Sequence, residues 1–124
     1  MQVSMVRAKL HHARVTGADI EYVGSITIDT NLLAHARMFP YEKVLVVDVE
    51  NGARFETYII PGDPGSRTIQ VNGAAAHLVN LGDRLIVLGF ALVDCPPPDN
   101  WTPQVVVLDA DNSVQSIETE GRYT

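Results

Sequence analysis

Turn-forming residues divide this chain into short segments rich in β-branched and apolar residues, and this pattern limits the possible folds more than any other feature. Asn51-Gly52 is the clearest case, because both residues tolerate the left-handed backbone that the tightest hairpin turns require. The pair predicts a β-hairpin between residues 43–49 and 53–60. Residues 104–109 and 113–119 predict a second hairpin. Further strands are predicted at residues 5–16, 25–29, 68–71 and 84–93.

The predicted helices are few and short. Thr30-Asn31 is expected to cap a helix that runs to Met38, and Asn72-Gly73 to open an alanine-rich helix that ends near residues 80–82. The other segments predict a turn at residues 17–19, loops at 61–66 and 95–100, and a frayed tail from residue 120. Many short strands with few short helices favour a mainly β fold, a small β-barrel.

Length and composition exclude several classes of protein. The chain has 124 residues, 46% apolar and 19% charged, which predicts a single domain over residues 1–124. Its net charge of −6 argues against a nucleic-acid partner, which needs a basic face. A lone cysteine excludes an intrachain disulfide, and no apolar run is long enough to cross a bilayer, so we expect a cytoplasmic protein with no membrane partner. The four histidines show no metal-ligand spacing, so no metal is expected.

Two predicted strands carry polar residues that could meet a ligand. Lys9 and His11 are two residues apart and therefore share one face of the first strand. Arg54 and Tyr58, four apart, share a face of the second hairpin strand at about 13 Å along the backbone, whereas Thr57 faces the other way. A guanidinium can hold a carboxylate bidentately, and a phenol can deliver a proton.

The spacing alone leaves plainer interpretations open for these residues. Lys9 can be an edge-strand lysine that blunts aggregation, and Tyr58 a half-buried strand tyrosine. Arg54 can form an ion pair with Glu56 or Glu42. The orientation of His11 is ambiguous, because His12 follows it and neighbours on a strand face opposite sides.

The segment Asn72-Gly73-Ala74-Ala75 opens the second predicted helix. The first amides of a helix have no internal partners and favour anions, and small side chains let a ligand approach the backbone. Asn72 could orient a bound group, although a plain asparagine cap accounts equally well for this position.

Four segments taken together carry a resemblance to a known family. They are Lys9-Leu10-His11, Tyr22-Val23-Gly24-Ser25, Arg54-Phe55-Glu56-Thr57-Tyr58 and Val71-Asn72-Gly73-Ala74-Ala75-Ala76-His77. Together they resemble the aspartate 1-decarboxylase family, whose members depend on a pyruvoyl group. The resemblance extends from Lys9 to about Gly89 and is less distinctive from Pro96 onward. Ile26 stands where some members carry cysteine, so residue 26 is not expected to be catalytic.

The resemblance implies a double-psi β-barrel, assembled as a homotetramer, that cuts its own chain. The cut falls between Gly24 and Ser25 and yields residues 1–24 (the β chain) and 25–124 (the α chain). Ser25 becomes the pyruvoyl cofactor, and glycine at 24 suits a strained backbone at the cut. Pyridoxal phosphate is not expected, since the chain has only two lysines, Lys9 and Lys43, and no phosphate cradle.

The resemblance also implies roles for individual residues. Ser25 and Tyr58 are expected to be catalytic, and Gly24, Ser25 and Thr57 to serve self-processing. Lys9 and Arg54 are expected to hold the two carboxylates of the substrate, in an order that the sequence does not decide. The other expected substrate contacts are Thr57, Asn72, Gly73, Ala74 and Ala75, and the expected pocket-lining residues are His11 and Tyr22.

The implied reaction is decarboxylation of L-aspartate to β-alanine and CO₂ through a Schiff base, which supplies β-alanine for pantothenate and coenzyme A synthesis. Three alternatives remain open. The same chemistry could act on another amino acid such as glutamate, or the chain could be a non-catalytic β-barrel that binds a ligand or partner and stays uncut. It could also be a proenzyme that needs an accessory maturation protein.

Overall fold

The computed structural model describes residues 1–119. Within these residues, the chain forms nine strands, one α-helix and one 3₁₀ helix. The strands are β1 (Gln2–Arg14), β2 (Gly17–Asp19), β3 (Ser25–Asp29), β4 (Lys43–Asp48), β5 (Arg54–Gly62), β6 (Ile69–Asn72), β7 (Arg84–Asp94), β8 (Gln104–Leu108) and β9 (Val114–Glu118). The helix α1 spans Thr30–Ala36 and the 3₁₀ helix spans Gly73–Leu78.

The strands form one mixed sheet in the order β2-β6-β3-β5-β4-β7-β1-β8-β9. Three pairs are parallel, namely β1 with β8, β2 with β6 and β3 with β5, and the others are antiparallel. The sheet encloses a single apolar core, to which nearly every strand contributes alternate residues. Its largest fully buried side chains include Leu10, Ile26, Ile28, Ile59, Ile69 and Leu85. The mainly β prediction with few short helices is confirmed, and the arrangement is consistent with a small β-barrel.

The predicted hairpin at Asn51-Gly52 is confirmed. Gly52 has a φ of 75°, in the left-handed region that the turn requires, and its N–H donates to the carbonyl of Asp48 at 2.9 Å. The side chain of Asn51 accepts from the N–H of Ala53 at 2.8 Å, which adds a second hydrogen bond within the turn. The second predicted hairpin is also present, as β8 and β9.

The two predicted helices differ from expectation at their ends. Asp29, not Thr30 or Asn31, caps α1, because its carboxylate accepts from the N–H of Asn31 at 2.8 Å. The helix ends at Ala36, where Arg37 takes up a left-handed backbone. The second element is a six-residue 3₁₀ helix that ends at Leu78, before the residues where the sequence predicted its end.

Residues 17–19 were expected to form a turn, and this prediction is wrong. They form β2, which pairs in parallel with residues 70–72 of β6. Thr16 prepares this pairing, since its hydroxyl both donates to the carbonyl of Ile69 and accepts from the N–H of Ile69. The expected loop at 61–66 is shortened, because β5 continues to Gly62. The expected frayed tail from residue 120 lies outside the described residues.

No helix within residues 1–119 has the length and apolar character needed to cross a bilayer.

Two acidic residues meet beneath the 51–52 hairpin. Asp48 is fully buried, and its Oδ1 accepts from the N–H of Glu50 at 2.9 Å. Its Oδ2 has no donor among the described residues, so it can bond the neighbouring Asp83 carboxyl only when one of the two carries a proton. Burial, followed by this hydrogen bond to Asp83, raises the pKa of Asp48 to about 6.

We expect Asp48→Asn to stabilise the protein at neutral pH. A carboxyl whose pKa is raised by folding binds its proton more tightly in the folded state, so its contribution to stability is lost as pH rises from about 4 to 6. Asparagine keeps the acceptor for Glu50 and offers a neutral donor to Asp83. Urea unfolding should give a gain of about 1–2 kcal/mol at pH 7.5 that shrinks towards pH 4. The exposed Asp99→Asn is the control, and an equal gain at both pH values would contradict this account.

Candidate active site

Ser25 is buried at the first position of β3, although the three residues before it are exposed. It is 1% exposed, and its Oγ donates to the carbonyl of Val23 at 2.8 Å. The same Oγ accepts from the side-chain amide of Asn72 at 3.0 Å. The antiparallel pairing of β3 with β6 sets Ser25 directly opposite Asn72. Two hydrogen bonds therefore hold the Ser25 hydroxyl, one from each side, next to the Gly24-Ser25 peptide bond.

Asn72 occupies the N-cap position of the 3₁₀ helix, but its side chain makes no capping hydrogen bond. Its Nδ2 donates instead to Ser25 Oγ and to Thr27 Oγ1, both at 3.0 Å. Its Oδ1 accepts from the Nε2 of Gln70 at 2.8 Å. The interpretation of Asn72 as a plain cap is therefore wrong, and every hydrogen bond of this amide points away from the helix.

Gly73 lies against the backbone of Gly24 at a distance that no other residue would allow. A Cβ on Gly73 would stand 2.6 Å from Gly24 Cα and 2.9 Å from Gly24 N. Gly73 also has a φ of 77°, which favours glycine independently. Gly24 is different, because its φ lies outside the left-handed region and a Cβ there would meet nothing within 4 Å. Glycine is therefore required at residue 73, whereas the sequence had suggested that residue 24 is the position that requires it.

The remaining small and aromatic residues of this region frame the same contact. The carbonyl oxygen of Tyr22 lies 3.4 Å from the Cβ position of Gly73, so the 22–24 segment runs across the start of the 3₁₀ helix. The Tyr22 side chain is half exposed. Ala74 is exposed, and Ala75 is half-buried and packs on the core.

The cationic residues predicted for the site lie on another part of the sheet. The register aligns His11 of β1 with Ile86, Val47 and Arg54 in a row that crosses β7, β4 and β5. Lys9 lies two residues before His11 on β1 and therefore on the same outward face. Three inter-strand spacings separate His11 from Arg54, which is about 14 Å along the sheet. Lys9, His11 and Arg54 are thus brought to one face, but Lys9 and His11 are four strands from Ser25.

Tyr58 joins these two regions. It shares a face of β5 with Arg54, while Thr57 lies on the opposite face with Phe55, as the spacing predicts. The parallel register that sets Ile26 beside Ile59 puts Tyr58 at the position next to Ser25 on the adjacent strand. Among the described elements, β5 therefore borders the serine and also carries the arginine.

Arg54 makes no ion pair with any carboxylate in residues 1–119. Glu56 pairs with Lys43 at 2.8 Å, and Glu42 pairs with Arg7. The two ion pairs that the sequence offered as plain explanations for Arg54 are therefore wrong. Its guanidinium is exposed and available to an anion.

His11 and His12 lie on the same side of β1, contrary to the expectation that one must face each way. A bulge between His11 and Ala13 gives His12 a φ of 65° and stacks the two rings at 3.9 Å. Burial, followed by the positive charges of His12, Lys9 and Arg84, lowers the pKa of His11 to about 4. Its imidazole is therefore neutral at neutral pH.

No cluster of three potential metal ligands occurs among the histidines, cysteine and carboxylates of residues 1–119.

Comparison with known proteins identifies the class and the family. A family model described as aspartate decarboxylase matches residues 1–115. A protein named aspartate 1-decarboxylase from Chlorobium phaeobacteroides is 51% identical over 113 residues, which cover 91% of this chain and 86% of that one. Proteins of the same name from Chlorobium chlorochromatii and Thermosipho africanus are 50% and 49% identical, over 100% and 98% of this chain and 96% and 99% of theirs. The protein is thus an enzyme of the carboxy-lyase class. The chain belongs to the aspartate decarboxylase family.

Sequence reasoning missed two residues of this region, Gln70 and His12. Gln70 stands two residues before Asn72 and so shares its strand face, a signal that was available in the sequence. The left-handed backbone of His12 has no comparable signal, since it depends on the bulge against β7.

We expect Gly73→Ala to destabilise the chain more than Gly82→Ala. Both glycines have left-handed backbones, at φ values of 77° and 85°, so each alanine meets a strain of about 1–2 kcal/mol. A Cβ on Gly82 meets nothing within 4 Å, whereas one on Gly73 collides with Gly24 and adds about 1–3 kcal/mol. Both variants should be made in a Ser25→Ala background, which removes the nucleophile of the cut expected from the sequence, and compared by thermal unfolding. Equal losses would contradict the close packing of Gly73 on Gly24.

Proposed function

We propose that this protein decarboxylates L-aspartate to β-alanine and CO₂, using a pyruvoyl group that it makes from Ser25 by cutting its own chain after Gly24. Family membership supports the substrate and the reaction. The observation that carries the self-processing is the buried Ser25 hydroxyl, which is hydrogen-bonded on both sides beside the bond that it would attack. The β-alanine would supply pantothenate and coenzyme A synthesis in the cytoplasm.

The cut begins at the Ser25 hydroxyl. Oγ gives up its proton and attacks the carbonyl carbon of Gly24, and the C–N bond breaks to leave an ester and a free amine on residue 25. Loss of the Cα proton of residue 25 then expels the Gly24 carboxylate and leaves dehydroalanine. Water replaces the nitrogen, and ammonia departs. The products are residues 1–24 with a free carboxylate and residues 25–124 that begin with a ketone.

The residues around Ser25 suit this sequence of steps. The carbonyl of Val23 accepts the hydroxyl hydrogen, and Asn72 holds Oγ from the other side, so the nucleophile is oriented before reaction. Thr57 is our candidate for binding the Gly24 carbonyl as charge develops on its oxygen. Thr57 and Tyr58 lie on opposite faces of β5, in keeping with one serving the cut and the other the later reaction.

The same residues fit the group that the cut would create. The backbone of Gly73 lies against Gly24, next to residue 25, and the Asn72 amide donates towards residue 25. The ketone would supply an electron sink, as a Schiff base with the amine of the substrate, for the electron pair left when CO₂ departs. Asn72 and the backbone of Gly73, Ala74 and Ala75 would hold the substrate against residue 25.

Arg54 and Lys9 would bind the two carboxylates of L-aspartate. The availability of Arg54 supports this role, because the carboxylates nearest in sequence are already paired with other cations. Tyr58, beside residue 25, would return a proton to the α-carbon of the product. His11, whose lowered pKa leaves it neutral at neutral pH, would line the pocket together with Tyr22.

The site would be completed by assembly into a homotetramer. Along the sheet, Lys9 is about 19 Å from Ser25, so these two groups of one chain do not converge on a small substrate. Half-buried apolar side chains separate the cations on the outward face, namely Leu45, Val47, Ile86 and Leu88. A second copy that covers this face would bury them and bring Lys9 to another chain's residue 25. An accessory maturation protein would be needed only if purified chains stay uncut.

We expect denaturing mass spectrometry of the purified protein to show two fragments, split after Gly24. Borohydride with L-aspartate should trap an adduct on the larger fragment only. Ser25→Ala should abolish both the split and the activity, since it removes the nucleophile. An uncut wild-type chain that still releases CO₂, or an active Ser25→Ala variant, would overturn the proposal. An uncut and inactive chain would favour a proenzyme or a ligand-binding barrel.

We expect Arg54→Ala to leave the cut intact and to lower kcat/KM for L-aspartate by a hundredfold or more, because a charge-assisted bidentate bond is worth roughly 3 kcal/mol. Arg67→Gln is the control, as it removes an exposed guanidinium that pairs with Asp111 at 3.3 Å. Steady-state kinetics on fully cut protein separates turnover from maturation. Unchanged kinetics in Arg54→Ala would remove Arg54 from the substrate site.

A further inference from the structure

Gln70 is the polar side chain that donates to Asn72, and the proposed chemistry does not use it. It lies on β6 opposite Thr27 of β3, two residues before Asn72, which pairs with Ser25. Its Nε2 donates to Asn72 Oδ1 at 2.8 Å. Gln70 does not contact Ser25 by any hydrogen bond, so any influence on the serine passes through the Asn72 amide.

The side chain of Gln70 packs against Gly17 of β2. Gly17 is its direct partner in the parallel pairing of β2 with β6. A Cβ on Gly17 would stand 2.8 Å from Gln70 Oε1 and 3.3 Å from both Cδ and Cγ. The absence of a side chain at residue 17 therefore lets the Gln70 amide lie flat over β2 and reach Asn72.

The N–H donor of Gln70 sets the orientation of the Asn72 side-chain amide. A side-chain amide has one acceptor end and one donor end. Because Gln70 presents an N–H, the oxygen of Asn72 faces Gln70 and its NH₂ group faces Ser25 and Thr27. The reverse orientation would oppose two N–H groups and turn an acceptor towards Ser25, drawing the hydroxyl hydrogen away from Val23.

We propose that Gln70 is a positioning residue for the cut between Gly24 and Ser25, which fixes the orientation of the Asn72 amide and, through it, the direction of the Ser25 hydroxyl. This inference rests on the proposed self-processing. Gly17 contributes because its lack of a side chain leaves room for the Gln70 side chain. Substitutions at Gln70 should therefore change the rate of the cut before they change the fold.

The decisive variant is Gln70→Glu, because its ability to donate depends on pH. A protonated glutamic acid can donate its O–H to Asn72 Oδ1 as glutamine does. The ionised carboxylate can only accept, so it draws the NH₂ group of Asn72 towards itself. The cut in Gln70→Glu should thus be at least tenfold slower than wild type at pH 8 and clearly less slowed at pH 5, where part of the introduced carboxyl carries its proton.

The rates should be measured on newly synthesised full chains from cell-free translation, with the fraction cut followed by mass spectrometry. The charged groups on the elements packed against β6 are Asp19, Asp29 and His77. They are the same in every variant, so the ratio to wild type at each pH removes their titration. Gln104→Leu is the matched control, since Gln104 Nε2 donates to the carbonyl of His35 at 3.1 Å, and its strand β8 is five strands from β3 in the sheet order.

Gln70→Leu should slow the cut at least tenfold at both pH values, and Gly17→Ala should slow it by displacing Gln70. Gln104→Leu should cut at the wild-type rate. A wild-type rate in Gln70→Leu overturns this inference, and so does equal slowing of Gln70→Glu at pH 5 and pH 8, which would mean packing alone. If the leucine variant does not fold, the pH ratio within Gln70→Glu decides. A wild-type chain that never cuts would instead overturn the proposed function.

Discussion

The close approach of two backbones, at Gly24 and Gly73, is the contact on which the rest of the site depends. The antiparallel pairing of β3 with β6 brings residue 25 opposite residue 72. The residues next to this pair, Gly24 and Gly73, therefore lie close together. A side chain on Gly73 would occupy the position of Gly24. Its absence lets the 22–24 segment cover Ser25, and this cover explains how a serine preceded by exposed residues becomes buried.

The charges of the chain are arranged so that an acidic protein can still accept an acidic ligand. The net charge is −6, but most basic side chains near the outward face are neutralised locally, as Lys43 is by Glu56 and Arg7 by Glu42. Arg54 is left without an ion pair among the described residues. The stacked, neutral His11 adds hydrogen-bonding capacity to this face but no competing charge. The pairing of nearby carboxylates with other cations thus matters more than net charge for binding an anion here.

Features that depend on local backbone chemistry could be predicted from the sequence, and features that depend on distant pairing could not. The hairpin at Asn51-Gly52 and the opposite orientations of Thr57 and Tyr58 follow from turn chemistry and strand periodicity alone. The strand at residues 17–19 does not, because its hydrogen-bond partners lie some fifty residues further along the chain. The stacking of His12 on His11 likewise depends on a bulge set by β7.

In the proposed function, the division of the site between strands also separates the cut from the decarboxylation. Ser25, Asn72, Gln70 and Gly73 lie on β3, β6 and the 3₁₀ helix, so the groups that orient the cut belong to one compact part of one chain. Lys9 lies on β1 and Arg54 on β5, which are three strands apart in the sheet. It follows from the proposed function that maturation depends on hydrogen bonds within the chain, whereas turnover depends on how copies of the outward face meet. Tyr58 lies next to Ser25 and on the face of Arg54, so it is the residue of β5 that links these two regions.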